Sequence, residues 1–282
     1  MQLRTELVGG VELEVARVGR GSPTVVVVPG FGAGIESYRS FLALLGADWT
    51  AVGVSVRGVG RSQWAAPYAV DDWVDDVTAV VRELAAPPII AIGHSFGAYL
   101  ALAAAAREPN RIAAAVSLDQ VLDLDVFVPL ARPMNEYWQA VRRTVAAHRG
   151  DERSLVATLG DIVGPQGRLG EVLSREELEA MAARWAVQDP RVLEFLTDDH
   201  SAEWLTGGSL PDLPGRVRCP VLRLDGDPSA GSIVSDASAT AAELLYPASR
   251  HVRLEGLGHQ LDLDERPAVV VDHIRSFIDE LS

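Results

Sequence analysis

Apolar and polar residues follow two alternating patterns along the first 120 residues of the chain. Short runs of β-branched residues, such as 24–28, are typical of buried strands. Between these runs, apolar residues recur at helical spacing, as in 70–84, where aspartates occupy the opposite face. Strands that alternate with helices predict a parallel sheet covered by helices on both faces. The predicted elements are a hairpin at 3–16, strands at 24–28, 50–56, 88–92 and 112–118, and helices at 37–45, 70–84 and 96–107.

The alternation stops at Asp119 and resumes near residue 215. Between these points the spacing of apolar residues predicts only helices, and no segment there is a convincing strand. The pattern therefore predicts an α/β core, formed by residues 1–120 and 215–282, that is split by a helical insertion at 121–214. The later elements are helices at 134–148, 155–162, 175–187 and 191–197, then a strand at 220–225, a helix at 236–245, a strand at 251–255 and a helix at 267–281.

Charge and cysteine content exclude several classes of partner. The net charge of −14 repels nucleic acid and anionic membranes, so we expect neither as a partner. The one cysteine, Cys219, cannot form an internal disulfide. We find no leader pattern and no apolar run long enough to span a bilayer, which favours a cytoplasmic protein. A small-molecule substrate is the expected partner, and the sequence predicts no oligomeric state.

Ser95 lies at the centre of GHSFG, residues 93–97, between a predicted strand and a predicted helix. A tight strand-to-helix turn lifts the serine side chain out of the sheet and points the first N–H groups of the helix at the group it attacks. The hydroxyl needs a base to take its proton. Of the six histidines, His259 alone follows a predicted strand in a glycine-rich loop, EGLGH at 255–259. We therefore predict Ser95 as nucleophile and His259 as general base.

Four blocks of sequence together resemble the α/β-hydrolase superfamily: PGFG at 29–32, RGVGRS at 57–62, GHSFG at 93–97 and GLGH at 256–259. The resemblance covers the core and indicates the branch with a helical cap inserted after strand six. The chain departs from the family at Pro29, where a histidine is common, and at Ser55, where an aspartate is common. The resemblance implies an oxyanion hole made by the backbone N–H groups of Phe31 and Phe96.

The acid that orients the histidine has two candidates. In this fold the chain order is serine, acid, histidine, with the acid at the end of a strand. Asp227 follows the strand at 220–225, and Asp119 follows the strand at 112–118. The chain has GDP at 226–228, two residues shorter than the family's common G-x-x-D-P. We predict Asp227, with Asp119 as the alternative.

The sequence predicts a serine hydrolase that cleaves an ester or related acyl bond of a small, apolar molecule. Cleavage of a C–C or thioester bond by the same triad, and a ligand sensor that retains the triad, are the alternatives. Family members that open epoxides need an aspartate nucleophile, and Ser95 argues against that reaction. Histidine and cysteine are too scattered for a metal site, and no dinucleotide or phosphate-loop fingerprint is present, so we expect neither metal nor cofactor.

Aromatic residues of the insertion are candidates for the substrate pocket, because ligand sites are largely apolar. The alternative is that they form the insertion's own core. The candidates are Trp64, Tyr137, Trp138 and Trp185, with Phe127, Met134 and Trp204 as further members of the set.

Overall fold

The core of the molecule is one mostly parallel sheet. A computed structural model of the chain describes residues 2–123, 126–127, 134–164, 167–197 and 212–281. In this part, eight strands lie in the order β1-β2-β4-β3-β5-β6-β9-β10. The first three pair antiparallel, β1 with β2 and β2 with β4, and every other neighbouring pair is parallel. The strands are Gln2–Val8 (β1), Val11–Val18 (β2), Thr24–Val28 (β3), Thr50–Ser55 (β4), Ile89–His94 (β5), Ile112–Leu118 (β6), Val221–Gly226 (β9) and Ser249–Leu254 (β10).

Helices cover both faces of this sheet, as the alternating pattern predicts. Phe41 and Ile274 pack in the core on one face, and Trp73 and Tyr99 pack in the core on the other. The helix that follows β5 is buried along almost its whole length, which explains its run of small and apolar residues. The helices of the core are Arg39–Leu45 (α1, after a 3-10 turn at Ile35–Tyr38), Val70–Glu83 (α2), Phe96–Arg107 (α3), Asp236–Leu245 (α9) and Ala268–Glu280 (α10).

The described part of the segment between β6 and β9 is mainly helical and has a core of its own, which includes Leu155, Ala182 and Trp185. It also contains a ribbon of two-residue strands, which the sequence analysis missed because two residues leave no recognisable period. No helix in the described residues is long and apolar enough to cross a membrane. The elements are Asn135–Ala147 (α4), Glu152–Gly160 (α5), Val163–Gly164 (β7), Gly167–Arg168 (β8), Leu169–Val172 (α6), Arg175–Ala186 (α7), a 3-10 turn at Pro190–Leu196 and Leu213–Arg216 (α8).

This segment is fixed to the loop that follows β3. The side-chain amide of Gln188 donates to the carbonyl of Gly32 over 2.8 Å. Gly32 has a φ of +65°, and a Cβ atom there would lie 2.6 Å from the ring of Trp185. A second attachment joins Tyr68 of the core to Asp189 of this segment: the Tyr68 hydroxyl donates to the Asp189 carboxylate over 2.8 Å. The helices between β6 and β9 are therefore held above the carboxyl ends of the central strands.

Candidate active site

Ser95 occupies a sharp turn between β5 and α3. Its φ of 51° is unusual for a residue with a side chain. The turn is possible because glycines flank it: a Cβ atom at Gly93 would lie 2.1 Å from the carbonyl oxygen of Gly97, and one at Gly97 would lie 2.3 Å from that of Pro29. The serine side chain therefore stands at the carboxyl edge of the sheet, at the N-terminus of α3.

Ser95, His259 and Asp119 form a continuous line of hydrogen-bonding groups. The Nε2 atom of His259 lies 3.1 Å from the Oγ atom of Ser95. On the other side of the ring, Nδ1 lies 2.7 Å from Oδ2 of Asp119. These residues come from the ends of β5 and β6 and from the loop after β10, which the strand order brings to one edge of the sheet.

The Asp119 carboxylate is completely buried and fully engaged. Its Oδ1 atom accepts from the backbone N–H of Gly226 over 2.7 Å and from the hydroxyl of Ser232. Its Oδ2 atom also accepts from the N–H of Ile233 over 3.2 Å. Burial acts to raise the pKa of Asp119, but the hydrogen bonds from His259, Ser232 and Gly226 outweigh it and hold the pKa below its ordinary value. Asp119 is therefore ionised and fixed in orientation.

Asp227 does not contact His259, so the prediction that it orients the histidine is wrong. Its Oδ1 atom accepts from the N–H of Ser229 over 2.8 Å, and its Oδ2 atom accepts from the N–H of Gly256 over 3.1 Å. The short turn after β9 explains this: the N–H of Asp227 donates to the carbonyl of Leu257, which leaves the side chain to cap the turn that follows. The alternative acid, Asp119, occupies the position beside the imidazole.

A cavity of about 360 Å³ opens onto Ser95 and His259. Among the described residues its walls are mainly aromatic and apolar, and the cationic side chain of Arg184 also lines it. Phe31 and Phe96, the residues predicted to supply the oxyanion N–H groups, both lie in the wall beside Ser95. The remaining aromatic and apolar members of the wall include Phe127, Met134 and Trp138.

Of the four aromatic residues predicted for the substrate pocket, Trp138 alone lines this cavity. Trp185 is buried in the core of the helical segment, and Tyr137 packs against Trp138 with ring centroids 4.8 Å apart. The guanidinium carbon of Arg149 lies over the ring of Trp64, 3.8 Å from the centroid of that ring. Packing within the helical segment therefore accounts for Trp185 and Tyr137. Trp204 lies outside the described residues.

Sequence reasoning missed several side chains at this site, among them Tyr38, His94 and Arg184. All three line the cavity. His94 carried a recognisable signal, because it directly precedes the serine in GHSFG. Tyr38 and Arg184 carried none, because each reaches the site only through the packing of its helix against the rest of the fold.

Comparisons with known proteins find relatives that share this fold. A family model described as the α/β-hydrolase fold matches residues 23–206. A lipase of Mycobacterium tuberculosis, LipV, is 30% identical over 143 residues, which is 51% of this chain and 44% of the lipase. The 2-hydroxy-6-oxo-2,4-heptadienoate hydrolase of Pseudomonas putida is 29% identical over 173 residues, 55% of this chain and 62% of that enzyme. The matched stretches thus span less than two thirds of the length of either relative.

Solved structures show the same fold over the whole chain. A thermophilic esterase from Thermogutta terrifontis superimposes with a TM-score of 0.69 and 21% identity, covering 100% of this chain and 99% of the esterase. At that identity the likeness concerns the fold. The family model covers more than half of the sequence, and the chain therefore belongs to the α/β-hydrolase superfamily.

Proposed function

We propose that the chain is a serine hydrolase that cleaves an ester or related acyl bond of a small molecule. The observation that carries this proposal is the line of contacts from Ser95 through His259 to Asp119, at 3.1 Å and 2.7 Å. A serine, an imidazole and a buried carboxylate in this order are the parts that acyl transfer requires.

Each residue has a defined task in the proposed reaction. The Oγ atom of Ser95 attacks the acyl carbon while Nε2 of His259 takes the hydroxyl proton. Asp119 holds the imidazole in the required tautomer and stabilises the imidazolium that forms. The backbone N–H groups of Phe31 and Phe96 face the developing oxyanion. His259 then protonates the leaving alcohol, and water, activated by the same imidazole, releases the acid and restores Ser95.

The surroundings of the serine favour a small apolar acyl group. The cavity of about 360 Å³ falls at the lower end of the range for small-molecule sites, and its walls are mainly aromatic and apolar. Trp138 and Met134 belong to the helical segment, which supports our proposal that residues 121–214 act as a cap over the core.

Hydrolysis of p-nitrophenyl butyrate tests this function. We expect many turnovers per enzyme, complete loss in Ser95→Ala, and labelling of Ser95 by a fluorophosphonate. A ligand sensor with an intact triad would instead release one equivalent of nitrophenol and stop. Retention of a tenth or more of the activity by Ser95→Ala would show that another group is the nucleophile.

A second candidate, hydrolysis of a substrate that carries a carboxylate, is favoured by Arg184. This residue lies in the cavity wall, in the last turn of α7, and makes no ion pair within the described part of the chain. It stays open to solvent although protein surrounds it, because it also lines a neighbouring groove. Desolvation by the surrounding protein lowers its pKa from the ordinary value, and its guanidinium lies 5.5 Å from the ring centroid of Trp185. An anionic group on the substrate would give this cation an ion pair, as the name of the heptadienoate hydrolase implies for that relative.

Two esters of matched length separate these candidates. p-Nitrophenyl butyrate and p-nitrophenyl hemisuccinate differ chiefly in the terminal carboxylate. If Arg184 binds that group, Arg184→Gln should lower kcat/KM for the hemisuccinate by about tenfold or more, because a charged hydrogen bond contributes roughly 1.5–3 kcal/mol, and should leave the butyrate almost unchanged. Equal effects on both esters would exclude the carboxylate site and leave the neutral-ester reaction intact.

A further inference from the structure

A second chain of hydrogen bonds lies behind the proposed triad and does not include the serine. The backbone N–H of Gly30 lies 3.0 Å from the hydroxyl of Tyr38. That hydroxyl lies 2.6 Å from Nδ1 of His94, and Nε2 of His94 lies 2.7 Å from the carbonyl oxygen of His259. Tyr38 and His94 are both buried, at 4% and 3% exposure. The two side chains that link the chain are therefore largely shielded from water.

The direction of each bond is fixed by the two ends of the chain. A carbonyl oxygen can only accept, so Nε2 of His94 carries a hydrogen and donates it to His259. Burial, and then the neighbouring His259, lower the pKa of His94 to about 3, so its ring is neutral and Nδ1 accepts. The Tyr38 hydroxyl therefore donates to Nδ1 and accepts from the N–H of Gly30. One arrangement of hydrogens satisfies every group.

These bonds connect the three loops on which the proposed reaction depends. Gly30 directly precedes Phe31, whose N–H is a proposed oxyanion donor. His94 directly precedes Ser95. The carbonyl at the other end belongs to His259, whose ring lies 4.9 Å from that of His94. A shift of any one loop would break one of these hydrogen bonds, so the loops are held in register with one another.

The neutral state of His94 matters for the same reason. During the proposed reaction His259 becomes an imidazolium, and a second positive ring at this distance would oppose that charge. The Tyr38 hydroxyl donates to Nδ1, the His259 carbonyl accepts from Nε2, and both bonds suit a neutral His94 ring. His94 thus supports the general base without carrying charge.

We propose that Tyr38 and His94 are positioning residues that align the backbone of His259 with the nucleophile and with the oxyanion loop. This inference rests on the proposed serine-hydrolase function. Neither residue takes part in proton transfer with the substrate in this role; both act through His259 and the loop at Gly30.

Tyr38→Phe is the most direct test, because it removes one hydroxyl and keeps the ring. We expect kcat for p-nitrophenyl butyrate, normalised to the active-site concentration, to fall roughly tenfold to a hundredfold, since small misplacements of reacting groups have effects of this size. We expect KM to stay within about twofold, because the change affects the transition state and not substrate binding.

Tyr68→Phe is the matched control. Tyr68 is also buried, and its hydroxyl also accepts from one backbone N–H, that of Ala65, and donates to one side chain, that of Asp189. We expect Tyr68→Phe to lower the melting temperature by about as much as Tyr38→Phe does and to keep the kcat of the wild type. If Tyr38→Phe and Tyr68→Phe change kcat by the same factor, Tyr38 has no positioning role and the inference is overturned.

His94→Gln and His94→Leu provide a second comparison. Glutamine retains an N–H donor near the place of Nε2, whereas leucine retains none. We expect His94→Gln to keep at least about fivefold more activity than His94→Leu, because only glutamine can still bond the carbonyl of His259. Equal losses in the two variants would contradict the inference.

The rate at which a fluorophosphonate labels Ser95 separates failure of this inference from failure of the proposed function. Labelling needs the aligned serine and histidine but no particular substrate. If the wild type labels but does not turn over esters, ester hydrolysis is wrong as the function, and slower labelling of Tyr38→Phe than of Tyr68→Phe still supports the inference. If these two variants label at the same rate, the inference fails whatever the substrate.

Discussion

Asp119→Asn should abolish most of the activity while the protein stays folded. The substitution keeps the shape of the side chain and replaces one carboxylate oxygen by an amide. Two orientations are available. An amide nitrogen in place of Oδ1 would oppose the N–H of Gly226, now 2.7 Å from that oxygen. An amide nitrogen in place of Oδ2 would oppose the more distant N–H of Ile233, at 3.2 Å, and face Nδ1 of His259.

The second orientation is the cheaper one, because an imidazole can change its tautomer and a backbone N–H cannot. An unsatisfied buried donor costs roughly 1–3 kcal/mol, and Gly226 offers the shorter contact. The His259 ring would then accept at Nδ1 and carry its hydrogen on Nε2, facing Ser95. Nε2 could no longer take the serine proton. We expect kcat to fall about 10⁴-fold, as for the wrong tautomer in other serine hydrolases, which corresponds to about 5 kcal/mol of transition-state stabilisation.

Asp227→Asn is the matched control for this change. Asp227 is the other aspartate at the end of a strand, and its contacts are with Ser229 and Gly256. We expect it to keep kcat within a few-fold of the wild type and to lower the melting temperature only slightly through the weakened turn cap. The assay is p-nitrophenyl butyrate hydrolysis, with thermal melts to confirm folding. A large loss in Asp227→Asn together with near-normal activity in Asp119→Asn would refute the reasoning from the geometry.

Three further outcomes are expected. Gly97→Ala should lower stability by about 1–3 kcal/mol and should also lower activity, because the new Cβ would lie 2.3 Å from the carbonyl oxygen of Pro29. An unchanged melting temperature would show that the turn can relax. The pKa of Asp119 is lower in the folded than in the unfolded state, so the ionised carboxylate contributes fully to stability above the unfolded pKa near 3.9. That contribution is lost as the pH falls through the folded pKa. Over this acid range the melting temperature of Asp119→Asn should therefore fall less than that of the wild type. Trp138→Ala should widen the cavity and lower KM for longer acyl chains relative to acetate, and a uniform change for all chain lengths would assign Trp138 to packing alone.

Much of the fold could be predicted from the sequence because its signals are local. The β-branched run at Thr24–Val28 is buried at every position, and the apolar spacing of Val70–Glu83 marks a helix with one buried face. Ser95 was identifiable for a similar reason: the strand, the turn glycines and the helix that position it are contiguous in the chain. His259 was identifiable because it follows a strand in a loop rich in glycine.

The proposed acid could not be chosen from the sequence because the choice depends on a contact between distant segments. Asp119 and Asp227 both follow strands, and both lie between the serine and the histidine in the chain. What separates them is that Asp119 has a φ of 45°, which turns its carboxylate toward the N–H of Gly226 and the ring of His259. Asp227 instead bonds within its own turn. Neither fact has a signature in residue type or spacing.

The pocket was harder to predict for a different reason. An aromatic residue on a helix satisfies the same hydrophobic pattern whether it faces a cavity or the core of its own segment. Trp138 and Trp185 illustrate this, since their rings lie 6.3 Å apart and yet only Trp138 lines the cavity. Arg184, immediately before Trp185, lines the cavity although it is polar. Nothing in the sequence indicated this, because a single arginine at the end of a helix is also typical of a solvated face.

Asp119 lies at the end of β6, and Gly226 of the neighbouring strand β9 donates its backbone N–H to the Asp119 carboxylate. In the family pattern that the sequence resembles, the acid follows the later strand; here that strand contributes a backbone N–H, and its neighbour contributes the carboxylate. An imidazole responds to the place of the neighbouring charge and not to the strand that supplies it. Asp227 and Asp119 coexist in this chain, one on each strand end. Homologous chains should therefore be compared by where their carboxylates lie in space, since alignment by strand would pair residues that do different work.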